Sequence, residues 1–228
     1  CILPPDVDFF RELNKSCGNR IRLVTLAPNT ENAMEFIREL KDETVISLGH
    51  TAADYDTARE ALRQGACHVT HLYNAMMPLG HRAPGLIGAA SEDDNCVAEL
   101  ICDGIHIHES MVRAAFRLFP GRIALISDSM RATGMENGSY DLGGQRVTVN
   151  GGLATLEDGT IAGSATNLFD GMRNAVSFGI PLEDAITAAT MVPAKSIGIF
   201  DDVGSLTPGK RGDVILVDKD LNLVKVIS

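Results

Sequence analysis

The chain has 228 residues, 45% of them hydrophobic and 22% charged, with 22 Gly, 9 Pro and no Trp; this is ordinary globular composition, far from collagenous, disordered or disulfide-scaffold chains. A formal charge of −10, with no basic cluster, makes nucleic acid and anionic membrane poor partners. Five cysteines (Cys1, Cys17, Cys67, Cys96 and Cys102) without a C-x-x-C pair suit reduced thiols in a cytoplasmic protein, and no apolar run reaches the ~18 residues of a membrane span.

The chain starts at Cys1, and Cys1-Ile2-Leu3-Pro4-Pro5 has neither the basic start nor the apolar core of a signal peptide, so it reads as trimmed. Ile21 to Ala27, bounded by Pro28, is a β-branched run of strand length. Glu31 to Leu40 carries apolar residues at helical spacing, with Asn29 or Thr30 as the expected N-cap. The alternation then repeats: strand Thr44 to Leu48, helix Ala53 to Gln64, strand Cys67 to Leu72, a Pro/Gly-rich loop, and strand Val97 to Cys102. A helix from Glu109 to Leu118, stopped by Pro120 and Gly121, leads to strand Ile123 to Ser127. Turn signals at Gly143-Gly144, Asn150-Gly151-Gly152 and Glu157-Asp158-Gly159 mark short β elements, and two helices follow near residues 167–178 and 182–190. Residues 213–218 and 221–227 read as a terminal hairpin.

Near-continuous apolar strands alternating with helices imply a parallel α/β sheet, either a barrel or an open sheet. The polar residues decide. His50, His71, Asp103, His106 and Asp128 all fall at C-terminal ends of consecutive strands. In a (β/α)₈ TIM-type barrel those ends share one mouth, whereas a doubly wound sheet spreads them along an edge. The expected fold is therefore a barrel with about five strands present and three missing upstream. Residues 1–200 form the partial barrel, and residues 201–228 belong to a remnant of a small β-sandwich.

His50 and His71 lie 21 residues apart, about one βα unit, so two imidazoles on adjacent strand ends can share a divalent metal. Asp128, at the end of the last barrel strand, can act as general base and then general acid. His68, three residues before His71, is expected to point to the opposite face, toward the helices, in a structural role. His81 and His108 read as solvated. The loop Met77 to Leu86 is expected to carry Arg82 over the mouth, where its planar fork suits a phosphate, and His106 is a second candidate anion contact. Gly163-Ser164 is read as a possible source of backbone N–H groups at a helix start.

Leu26-Ala27-Pro28, Gly49-His50, Thr70-His71-Leu72-Tyr73-Asn74-Ala75-Met76, Arg82-x-Pro84-Gly85, Asp103-Gly104-x-His106, Ser127-Asp128 and Ala162-Gly163-Ser164 occur in this order. The set resembles the N-acetylglucosamine-6-phosphate deacetylases of the amidohydrolase superfamily, from about Pro5 to the end. The resemblance implies a barrel with a small β-sandwich, and hydrolysis of the acetamide of N-acetylglucosamine 6-phosphate to glucosamine 6-phosphate and acetate. It implies that His50 and His71 ligate the metal, that Asp128 is catalytic, and that Asn74, Ala75 (through its backbone), Arg82 and His106 contact substrate. The metal would be divalent, zinc first, with iron, manganese or cobalt as alternatives, and the enzyme a homodimer. The family's His-x-Glu-Gly-Pro motif, which supplies an acidic metal ligand, does not occur here, and the usual Ala-Pro-Glu reads Ala27-Pro28-Asn29. The alternatives are a truncated, catalytically silent fragment and an amidohydrolase acting on another amide.

Overall fold

The computed structural model describes residues 3–228; Cys1 and Ile2, on which the reading of a trimmed start rests, lie outside the described residues. Helix α1 (Val7–Ser16) is capped by Asp6, whose carboxylate accepts the Phe9 N–H. Then β1 (Leu23–Leu26), α2 (Ala33–Leu40), β2 (Val45–Leu48), α3 (Tyr55–Gln64), β3 (His68–Val69), α4 (Gly85–Ser91), β4 (Val97–Ile101), α5 (Glu109–Leu118) and β5 (Ile123–Ile126) alternate. The five strands pair in parallel in strict chain order. A doubly wound sheet reverses its order at a switch point; this one does not, which is the topology of part of a barrel wall.

One face of the sheet is apolar. Ile46, Leu48, Val69, Ala98 and Leu100 are fully buried and join one core with Ile37, Leu40, Val112 and Phe119 of the helix layer. The opposite, inner face carries a polar cluster: the Thr70 hydroxyl pairs with those of Thr25 at 2.8 Å and Ser47 at 2.6 Å. His68 belongs to this inner face, with Nδ1 3.2 Å from Ser47 Oγ, which corrects its expected direction toward the helices. The parity argument assumed an extended chain as far as His71, but His71 has φ +33°, so the strand ends before it and the alternation fails. Burial holds the His68 imidazole uncharged, its pKa pushed down to about 4.

Two local expectations are also revised. Asn32, at φ +63°, precedes α2, while the side chain of Asn29 accepts the Thr51 hydroxyl at 2.5 Å and that of Thr30 donates to the Ala27 carbonyl. Helix α4 occupies what reads as loop and spacer, because Gly-Leu-Ile-Gly-Ala-Ala-Ser has weak helical preference. A Cβ on Gly88 would lie 2.4 Å from Pro84 Cβ, so only glycine permits that turn.

After β5, three antiparallel strands, β6 (Gly138–Leu142), β7 (Gln145–Asn150) and β8 (Leu153–Leu156), enclose a small core of Met130, Ala132, Val147, Val149, Ala154 and Ala162. Gly143 and Gly144 turn the first hairpin with φ of +61° and +85°. Helices α6 (Leu168–Ser177), α7 (Leu182–Ala189) and α8 (Met191–Ser196) pack against β5, and β9 (Val214–Val217) with β10 (Leu223–Ile227) forms the terminal hairpin.

Candidate active site

The candidate residues sit where parallel strands end. His50 follows β2 through Gly49, and His71 follows β3 through Thr70. Close approach of those two segments requires Gly49: a Cβ there would lie 2.7 Å from Thr70 Cβ and 3.1 Å from Thr25 Cγ2. The segments are then tied together by the Thr51 N–H donating to the Ala75 carbonyl at 3.0 Å.

This arrangement brings His50 and His71 together, with Nε2 atoms 2.8 Å apart and rings edge-on at 75°. His71 is 6% exposed, while His50 is open to solvent. Burial, reinforced by the neighbouring His50 ring, lowers the His71 pKa and favours its neutral form, the one that binds metals. Two imidazoles with converging Nε2 atoms fit two nitrogen positions of a borderline divalent ion. Among the described residues, no group of three or more His, Cys, Asp or Glu side chains is placed to hold an ion.

Strained backbone gathers at the same place. Among the described residues, five of the eight non-glycine residues with positive φ are His50, His71, Tyr73, Ala75 and Asp128. Such conformations cost about 1–3 kcal/mol each and persist where the surroundings impose them, as at ligand-binding and catalytic sites.

The surroundings that impose them include Glu99, which sequence reasoning missed, and Ser164, whose role differs from the expected one. Glu99, on β4, accepts the His71 N–H through Oε2 at 3.2 Å. Burial pushes its pKa up to about 6, the nearby Asp128 charge adding to the effect against the His71 hydrogen bond. Its signal was an acid inside the apolar strand Val97–Ile101. Ser164 holds Asp128: its N–H donates to the Asp128 carbonyl at 2.8 Å, its hydroxyl donates to the Ser127 carbonyl, and its own carbonyl accepts the Met130 N–H at 2.9 Å. Gly163-Ser164 is thus no helix start, since α6 begins at Leu168; the Ser164 N–H is consumed in fixing the end of β5. Gly163 permits this at φ +65°, where a Cβ would lie 3.3 Å from the Asp128 carbonyl oxygen.

Asn74 Nδ2 donates to the His71 and Leu72 carbonyls, which closes the turn after β3. Ala75 is exposed at φ +49°. Arg82 and His81 are exposed on the following loop, and His108 caps α5 by accepting the Ser110 N–H. His106, after β4, lies with Nδ1 2.7 Å from Asp103 Oδ2. Burial alone would raise the Asp103 pKa, but the hydrogen bonds from the His106 side chain and from two backbone N–H groups bring it below its usual value.

The statistical model of the amidohydrolase family matches residues 27–228. The chain is 45% identical over 230 residues to the N-acetylglucosamine-6-phosphate deacetylase of Bacillus subtilis, covering 99% of this chain and 58% of that protein. It is 38% identical to the N-acetylgalactosamine-6-phosphate deacetylase of Escherichia coli, over 98% of this chain and 61% of that one. Among solved structures, N-acetylglucosamine-6-phosphate deacetylase from Pasteurella multocida superimposes with a TM-score of 0.92 at 28% identity, over 99% of this chain and 60% of that one. A variant of the Mycobacterium smegmatis deacetylase, in complex with N-acetyl-D-glucosamine-6-phosphate, gives 0.91 at 35% identity, over 98% and 60%. The chain therefore spans about three fifths of the length of these relatives. With a parallel sheet wound in one direction and a family match across nearly its whole length, the chain belongs to the amidohydrolase family.

Proposed function

We propose that this chain carries the metal-binding and proton-transfer half of an N-acetylglucosamine-6-phosphate deacetylase, a cytoplasmic homodimer that releases acetate from the sugar phosphate. The observation that carries the reading is the His50–His71 pair, Nε2 to Nε2 at 2.8 Å, on the rim that also holds Asp128. His50 and His71 would hold a divalent ion, zinc by preference and iron, manganese or cobalt by availability. When bound, such an ion supplies Lewis acidity at the reacting amide. Asp128 takes a proton from the attacking water and delivers it to the amine nitrogen as the C–N bond breaks. Asn74, the Ala75 backbone and His106 bind the sugar phosphate, and Arg82 meets its anionic end. Asn29, in place of the family's glutamate, keeps an acceptor for Thr51 but brings no charge to the mouth.

The test needs a full-length context. Residues 5–228 are grafted into the Bacillus subtilis relative in place of the matching segment, and acetate release is measured. Arg82→Ala is expected to raise KM for the phosphorylated sugar about tenfold or more, the loss of a charge-assisted contact, and to leave the unphosphorylated sugar unaffected. Equal effects on both sugars would contradict the phosphate role. A second reading keeps the chemistry and changes the sugar, favoured by 38% identity to a galactosamine-6-phosphate enzyme; kcat/KM for the two epimers decides between them.

A further inference from the structure

We infer that Asp103 is a positioning residue for substrate binding: it fixes the His106 ring so that Nε2 alone reads the ligand. The inference rests on the proposed role of His106.

The loop after β4 is built on the Asp103 carboxylate. Oδ1 accepts the N–H groups of Ile105 and His106, both at 2.9 Å, while Oδ2 faces His106 Nδ1 at 2.7 Å. A loop-closing aspartate needs only the first of these oxygens. The second binds the imidazole, and both side chains are almost removed from solvent, with 3% exposure for Asp103 and 7% for His106. An ionised carboxylate there can only accept, so Nδ1 must carry the proton whether the ring is neutral or cationic. Among the described residues Nε2 has no hydrogen-bond partner, and it is not one of the buried unpartnered atoms, so it retains solvent contact. That nitrogen is left to accept from a hydroxyl of the sugar phosphate, a role the Nε2–H tautomer cannot fill. Gly104, at φ +77°, allows the loop to pass Phe178, whose ring lies 3.3 Å from where a Cβ would be.

Asp103→Asn tests this sharply. Two backbone donors hold the Asn carbonyl where Oδ1 was, so the amide NH₂ faces His106 Nδ1 and forces the neutral ring to carry its proton on Nε2. Imidazole ¹⁵N spectra of the intact chain are expected to show the Nδ1–H tautomer, inverted in Asp103→Asn. Asp103→Ser, which retains an acceptor for the loop N–H groups, is expected to lose the fixed tautomer without loss of fold. In the grafted enzyme either variant should raise KM for the sugar phosphate about tenfold and change kcat less than about threefold. Adding Asp103→Asn to His106→Gln should change KM no further. An unchanged tautomer, an unchanged KM, or a full additional loss in the double variant would overturn the inference. Inversion of the tautomer in Asp103→Asn, beside a wild-type graft that releases no acetate, would instead refute the deacetylase reading and leave the inference on Asp103 and His106 standing.

Discussion

A buried histidine inside the barrel wall makes an acid-sensitive joint. The folded pKa of His68, about 4, lies below the ordinary 6.5, so protons bind the unfolded chain more tightly. Its contribution is complete above pH 6.5 and is lost as pH falls toward 4. Glu99 acts in the opposite sense: burial raises its pKa to about 6, so protonation favours the folded state as pH falls through that value. The two partly cancel, and substitution separates them. Urea unfolding of wild type and His68→Asn at pH 7 and 4.5 should show the stability difference shift by about 2 kcal/mol in favour of the variant at low pH. A difference independent of pH would contradict this assignment. At this scale the sequence was informative where chemistry and strand ends coincide. His50, His71 and Asp128 could be singled out because each terminates a readable strand. Glu99 left only the signal of an acid inside an apolar strand, because its role is to accept the backbone N–H that follows the neighbouring strand, and the role of Ser164 was not legible, because its partner Asp128 comes from a separate segment.

The elements hold the site by close approach. Strands β1, β2 and β3 converge at Thr25, Gly49 and Thr70, where no Cβ fits at position 49. Gly49→Ala would push against Thr70 Cβ, a branched atom fixed to the backbone, and so displace the segments bearing His50 and His71. The substitution should cost about 1–3 kcal/mol in denaturant unfolding, with a further loss of activity in the graft. Wild-type stability and rate in the variant would show that the approach is not needed. All five strands of the sheet were legible, since apolar β-branched runs between Gly and Pro punctuation leave little alternative. Helix α4 was not: its Gly and Ala content gives no periodic signal, and its burial comes from packing on α3.

The whole molecule shows a sheet wound in one direction, and its order was readable from the placement of polar residues alone. It also exposes apolar surface. The outer edge of β1 is unpaired in its sheet and borders a groove of about 1360 Å³ lined by Leu3, Phe9, Leu13 and Thr25 and reaching His50. In the terminal hairpin Ile215, Leu216, Leu223, Val224 and Val226 are all more than 40% exposed. Such surfaces favour association, so the chain alone should bind a hydrophobic dye and elute with a mass that rises with concentration. A dye-silent monomer at all concentrations would show that the apolar surface is covered in solution. The central claim, that the strand-end rim is a deacetylase site with Asp128 as its proton carrier, is tested most directly by Asp128→Asn in the grafted enzyme. Acetate release from N-acetylglucosamine 6-phosphate should fall roughly 10²-fold or more with thermal stability retained; an unchanged rate would contradict the account.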